Sequence, residues 1–150
     1  SKCNSTCPYI KGFYRSKTFT WSWDPIYLLE KANCCSKVFK NVKSDCVVKN
    51  WTSSFDRTYD WNLCTAGYYL SGLYRSDDHY LENIEKAWCC KPDGEPHSNM
   101  TCYDEDVSQS FHWNKKGWVS CTQAGYYVTG LYRSLCNTLS CIDKWKCCKL

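Results

Sequence analysis

Polar and apolar residues alternate most clearly in residues 67–76, GYYLSGLYRS, a stretch that returns as residues 125–134, GYYVTGLYRS, and as residues 9–16, YIKGFYRS. A period of two predicts a half-buried β-strand. On that count Tyr68, Leu70, Gly72 and Tyr74 face one way, and Tyr69, Ser71, Leu73 and Arg75 the other. Gly72 and its counterparts Gly12 and Gly130 are placed for a bulge or a close backbone approach. Downstream, LLEKANCC (28–35), NIEKAWCC (83–90) and CIDKWKCC (141–148) share an apolar residue, an acid, a lysine, two further residues and a Cys-Cys pair. Turn chemistry in SDDH (76–79) and SLCN (134–137) separates the two patterns, so each pair of patterns predicts a hairpin.

Two aromatic arms precede hairpins, running from Cys46 to Cys64 and from Cys102 to Cys121. Both carry a Ser-Phe pair (Ser54-Phe55, Ser110-Phe111) and a tryptophan three residues before the second cysteine (Trp61, Trp118). Internal similarity of this kind marks a repeat. The units are residues 1–38, 39–96 and 97–150, with DGEP (93–96) as a connector between the last two. The first unit is truncated, because Cys3 precedes Cys7 by only four positions; it is either degenerate or the point at which the chain begins partway into a longer protein. The expected fold is all-β: disulfide-stapled hairpin repeats, two complete and one truncated, in one compact domain with few or no helices. Three such units suit closure about a pseudo-threefold axis.

Composition explains why staples are needed. The 43% hydrophobic content leans on 8 Trp, 12 Tyr and 5 Phe, which predicts a small aromatic core. Fourteen cysteines in 150 residues reach the density of disulfide scaffolds and imply an oxidising compartment. The sequons at Asn4, Asn50 and Asn99 point to a secreted glycoprotein. No signal peptide or run long enough for a membrane span is visible. A net charge of +4 spread along the chain excludes the basic block expected of a nucleic-acid binder.

Spacing sorts the cysteines. Cys7–Cys34, Cys64–Cys89 and Cys121–Cys147 lie 25 to 27 residues apart and bracket the hairpins. Cys46–Cys90 and Cys102–Cys148 tie the arms, Cys3–Cys35 completes the first unit in the same sense, and Cys136–Cys141 closes the third loop. Exchanging partners within a Cys-Cys pair satisfies the spacing equally well. The spacing does not suit a zinc site, and no metal or cofactor is expected.

Catalytic chemistry finds little support. Ser16, Ser76 and Ser134 recur without a recurring histidine as base. Glu30, Glu85 and Asp143 recur singly, which offers no local carboxylate pair for glycoside hydrolysis. Asp104-Glu105-Asp106 lacks the spacing of an EF-hand and reads as a solvated loop. The chain is expected not to be an enzyme.

Arg15, Arg75 and Arg133 then need another explanation. If Cys64 faces Cys89, Arg75 lies opposite position 78, and Glu85 is about 23 Å away at strand rise. The arginine must then reach a neighbouring unit, a folded-back loop, backbone carbonyls or a ligand. As ligand-binding residues, Arg15, Arg75 and Arg133 would grip carboxylate or sulfate, with Trp61 and Trp118 brought from other strands to stack on sugars.

The run of Cys64, Gly67, Arg75-Ser76 and Cys89-Cys90 resembles the repeat of the dermatopontin family, and FDRTYDW (55–61) loosely echoes that family's Asp-Arg-x-Trp. Here the echo stands before the strand and carries extra residues, and the acid-Lys-x-x-Cys-Cys ending departs from the family. The resemblance implies an extracellular matrix or lectin-like glycoprotein that binds proteoglycan, collagen or cell surfaces, and it transfers no catalytic residue. The leading expectation is therefore a secreted, non-enzymatic binder of glycans or of matrix and cell-surface partners. A structural, self-associating subunit of an extracellular assembly comes second, and a secreted toxin third.

Overall fold

The computed structural model describes residues 3, 9–34, 44–92 and 100–149. Its strands are β1 (Ile10–Arg15), β2 (Leu29–Cys34), β3 (Ser44–Asn50), β4 (Asp60–Leu63), β5 (Tyr69–Arg75), β6 (Ile84–Pro92), β7 (Thr101–Asp106), β8 (Gly117–Ser120), β9 (Tyr127–Arg133) and β10 (Ile142–Lys149). One α-helical turn, α1 (Thr52–Phe55), and three single 3₁₀ turns complete the elements. The described chain is all-β, in three small antiparallel sheets.

Each sheet is built on one of the expected hairpins: β1–β2, β5–β6 and β9–β10. The arms do something the sequence does not suggest. The second arm begins on its own sheet, where β3 pairs with β6, and ends on another, where β4 pairs with β9. The third arm likewise begins with β7 on β10 and ends with β8 on β1. Cross-sheet pairing explains two glycines. A Cβ on Gly12 would lie 2.1 Å from the Val119 carbonyl oxygen in β8, and one on Gly130 would lie 2.6 Å from that of Asn62 in β4. Both are backbone obstacles.

The simple alternation expected for the first strand of each hairpin is broken. Register slips between Ile10 and Gly12, between Leu70 and Gly72, and between Val128 and Gly130. One extra residue is inserted each time, as in a bulge, and it reverses the facing of the residues beyond it. Leu70 and the half-buried Leu73, expected on opposite faces, therefore both pack on the main core side, where Ile10 with Phe13 and Val128 with Leu131 are fully part of the core.

The hairpin loops are also longer than a tight turn. Arg75 pairs with Ile84, and Leu70, rather than Cys64, stands opposite Cys89. Each loop ends in a 3₁₀ turn, Ile26–Leu28, Leu81–Asn83 or Leu139–Cys141, whose first residue is buried. Thus Ile26, Leu81 and Leu139 pin the loops to the core.

Six disulfides join described residues. Cys46–Cys90, Cys64–Cys89, Cys102–Cys148, Cys121–Cys147 and Cys136–Cys141 are as the spacing arranged them. The sixth corrects the expectation: Cys3 pairs with Cys34, not Cys35, so Cys34 is not the partner of Cys7. Cys3 takes the place of Cys64 and Cys121, as its backbone shows. Its N–H donates to the Ser71 carbonyl at 2.8 Å, where those of Cys64 and Cys121 donate to Thr129 and Lys11, both at 2.9 Å. Cys7 and Cys35 lie outside the described residues.

The core is aromatic, as composition demanded. Trp51, Phe55, Phe111 and Trp145 are fully buried. A second small cluster joins Tyr9, Tyr69 and Tyr127, the tyrosines six residues before the recurring arginines, with ring centroids 4.9, 5.9 and 5.6 Å apart. No helix among the described residues is long and apolar enough to cross a membrane.

The close approach at Gly12 is testable. Gly12→Ala should lower stability by about 1–3 kcal/mol, the usual cost of overpacking a tight contact. An unchanged urea midpoint for the disulfide-intact variant would show that β1 and β8 are not held so closely.

Candidate functional site

The three recurring arginines meet different fates. Arg15 is fully buried at the end of β1. It pairs with buried Asp24 and donates to the Phe111 carbonyl at 2.9 Å and the Ser16 carbonyl at 2.9 Å. Its guanidinium also lies 5.3 Å from the Phe111 ring centroid. Asp24 in turn accepts from the Ser140 N–H at 2.7 Å and from the Ser140 hydroxyl. Arg133, also buried, donates to the Phe55 carbonyl and, at 3.0 Å, to the Cys136 carbonyl. Burial pushes its pKa down, and nearby Glu82 and Asp56 oppose that shift. Arg75 is exposed and, among the described residues, donates only to the Asp78 carbonyl of its own loop, at 3.2 Å.

Of the alternatives the sequence leaves for Arg15 and Arg133, the structure shows the one in which a buried guanidinium holds backbone carbonyls. They face inward and hold the Phe111 and Phe55 carbonyls of arms that cross from other sheets. The recurring acids do not serve them. Glu30 accepts from Ser16 at 2.7 Å, and Glu85 accepts from Thr52 at 2.8 Å and Ser76 at 3.4 Å. The expected 23 Å separation of Arg75 from Glu85 also falls, since Glu85 directly succeeds the residue paired with Arg75.

The opposite face of the same strands is exposed and aromatic. Trp118 packs edge-on against Tyr14, with centroids 5.3 Å apart, and is 52% exposed. Trp61 lies 5.2 Å from Tyr132. Cross-strand register brings a lysine to each tyrosine: Lys31 opposite Tyr14, Lys86 opposite Tyr74 and Lys144 opposite Tyr132. Their ammonium groups sit 5.2, 5.6 and 4.9 Å from the ring centroids, within cation–π range. Lys146 adds a fourth contact, 4.4 Å from the Trp61 centroid. Sequence reasoning misses these lysines. They are the lysines of the acid-Lys pattern, and counting cross-strand positions back from the loop would have found them.

Two faces are thus complete, Tyr14–Trp118–Lys31 and Tyr132–Trp61–Lys144, and each offers flat rings beside positive charge. The third tyrosine, Tyr74, is 55% exposed and has Lys86 but no tryptophan. Of the sequons, Asn50 is exposed at the end of β3 and accepts from the Thr52 N–H at 2.9 Å; Asn4 and Asn99 lie outside the described residues.

The acidic stretch 104–106 is not a loop but the end of β7. Asp104 pairs with Lys146. For Glu105, burial pushes the pKa up, but hydrogen bonds from the Thr122 N–H and the Tyr103 and Thr122 hydroxyls outweigh it and hold the carboxyl below its usual value. The Ser108 hydroxyl and N–H lower Asp106 in the same sense. No cluster of metal-ligating residues occurs among the described residues.

These bonds set an order of cost among the arginines. Arg15→Met should cost roughly 3–5 kcal/mol by leaving Asp24 buried and unpaired, and Arg133→Met about 1–3 kcal/mol by stranding carbonyls. Arg75→Met should stay within about 0.5 kcal/mol of the parent. Urea midpoints of the three variants, measured without reductant, check this order. Because Glu105 and Asp106 have folded pKa values below their unfolded ones, the stability they add is present above the ordinary carboxylate range and lost as pH falls through the depressed values. Thr122→Val should therefore narrow the gap in melting temperature between neutral and acid pH.

No family model matches the chain, and no curated protein or solved structure matches it either.

Proposed function

We propose that the protein is a secreted, non-enzymatic glycoprotein that binds acidic glycans of the matrix or cell surface through its two aromatic–lysine faces. The observation that carries this reading is Trp118. It is a large apolar ring left half exposed against Tyr14, whose own ring carries the Lys31 ammonium. Indole and phenol rings offer flat apolar surface to the C–H face of a sugar while keeping a polar edge. Lysine supplies a point charge for sulfate or carboxylate. The arrangement at Tyr132, Trp61 and Lys144 repeats this chemistry, so a long glycan meets more than one weak site, and avidity multiplies them. The six disulfides among the described residues suit an extracellular setting, and the resemblance to the dermatopontin family carries the same expectation.

A second reading, a structural subunit of an extracellular assembly, is favoured by one observation: among the described strands β5 lies at the edge of its sheet, where β1 and β9 each carry a further strand.

Sulfated and sialylated glycans on an array test the first reading. Binding is expected to weaken as salt rises, and Trp118→Ala or Trp61→Ala should each lower apparent affinity about tenfold, with the double variant losing most of it. If neither sulfated nor sialylated glycans bind at low salt, the reading is wrong.

A further inference from the structure

The second and third arms turn the same corner and fill it differently. Trp51 and Val107 hold matching places in them. Their N–H groups donate to the Glu85 and Asp143 carbonyls, both at 2.9 Å, and their carbonyls accept from the Phe55 and Phe111 N–H groups at 2.9 and 2.8 Å. In the second arm the indole fills the corner between β3 and β4. It is buried, its ring lies 5.8 Å from that of Phe55, and its Nε1 donates to the Leu63 carbonyl at 3.0 Å. In the third arm a valine stands there instead, and a cavity of about 290 Å³ is lined from β7 and β8. That is the low end of the size range for small-molecule sites. Val107 and the half-exposed Trp118 ring make it partly apolar, Ser120 and Thr122 add hydroxyls, and Glu105 and Asp106 add carboxylates where the second arm has Lys49 and Asn50. Each carboxylate is held through one oxygen. Glu105 Oε1 accepts from the Tyr103 hydroxyl and from the Thr122 N–H and hydroxyl, all at 2.8 Å, and Asp106 Oδ1 accepts from the Ser108 N–H at 2.9 Å and hydroxyl at 2.6 Å. Glu105 Oε2 and Asp106 Oδ2 take no hydrogen bond among the described residues.

We propose that this cavity binds one uncharged sugar residue of a glycan. A pyranose matches a lining so divided. The C–H bonds of one face meet the indole, and its hydroxyls donate to the two open carboxylate oxygens in charge-assisted hydrogen bonds. An aromatic ring would leave those oxygens desolvated and unmet. An acidic sugar would set a third negative charge beside two, with no basic side chain among the lining residues. A cation is not called for either, because the Lys144 charge already acts on Asp106 from across the strand pair. The inference rests on the glycan reading for its class of ligand and sharpens it. The Trp118 face takes an acidic group beside Lys31 and an uncharged residue beside Glu105 and Asp106. The Trp61 face, whose corner Trp51 fills, takes the acidic group alone.

The test titrates the disulfide-intact, isotope-labelled chain with the methyl glycosides of glucose, galactose and mannose and with N-acetylglucosamine. At least one should give saturable NMR shifts centred on residues 105–107 and 118–122. Val107→Trp, which gives the third arm the residue of the second, should abolish those shifts while a sulfated glycan binds as before. Asp106→Asn keeps the shape of the side chain and should weaken the neutral sugar about fivefold, the loss of one charge-assisted hydrogen bond; it decides the matter where Val107→Trp does not fold. The proposal is overturned if none of these sugars shifts the residues at tens of millimolar, or if either variant binds the neutral sugar as the parent does. It is equally overturned if free indole or lysine shifts them and the sugars do not. A sulfated glycan that still binds the parent in that event leaves the acidic-glycan reading standing.

Discussion

A guanidinium buried at the end of β1 donates to a carbonyl 96 residues away, and another at the end of β9 reaches a carbonyl 78 residues away. These two bonds fix where each arm stops crossing and starts pairing with a foreign sheet. Everything on the outer surface depends on that placement. With the Phe111 and Phe55 carbonyls held, β8 and β4 lie in register on β1 and β9, and Trp118 and Trp61 come to rest on Tyr14 and Tyr132. The arginines shape the exposed faces without belonging to them. A guanidinium suits this work because its five donors form a fixed fork that can satisfy several backbone carbonyls at once.

Burying those charges is tolerable only because their surroundings are already rigid. Arg15 has Asp24, which is itself held by Ser140 on the far side of the seam. Arg133 has carbonyls as its hydrogen-bond partners, and burial lowers its pKa despite the opposing charges of Glu82 and Asp56. Cystines bracket each hairpin and each crossing arm, and a bridge of this kind is worth about 2–4 kcal/mol. With so few branched aliphatic side chains, the core depends on wide rings meeting edge to face, as Phe13 and Phe111 do on Trp145.

Much of the fold can be read from the chain because hairpins are local. Alternation, turn residues and paired cysteines all fall within about thirty positions. Features that depend on counting through an irregularity escape. Gly72 marks the place of the bulge, but alternation alone does not show that the extra residue at Ser71 reverses the facing of Leu73. The length of the loop hides the approach of Glu85 to the arginine end of its hairpin. Spacing leaves Cys3 free to pair with Cys34 or Cys35; yet Cys3 stands six residues before Tyr9 just as Cys121 stands six before Tyr127. The crossing of the arms leaves almost no local trace, because a four-residue strand does not name its partner. Only Gly12 and Gly130 hint at it. The surface faces are half legible: the tryptophans stand out by type, while their lysines are hidden inside a structural pattern.

The pairing of β1 with β8 also sets a timetable. Gly12 lies opposite Ser120, so a chain emerging from its N-terminal end has made its first hairpin long before the strand that covers it exists. Contacts of such separation are slow to form, since the intervening chain must be closed before they reward it. Until β8 arrives, Arg15 has no Phe111 carbonyl, and the cysteines nearby are free to sample one another. Synthesis runs from β1 to β8, but assembly of this seam can only begin when β8 is complete. Closure of this seam therefore waits on the last third of the chain.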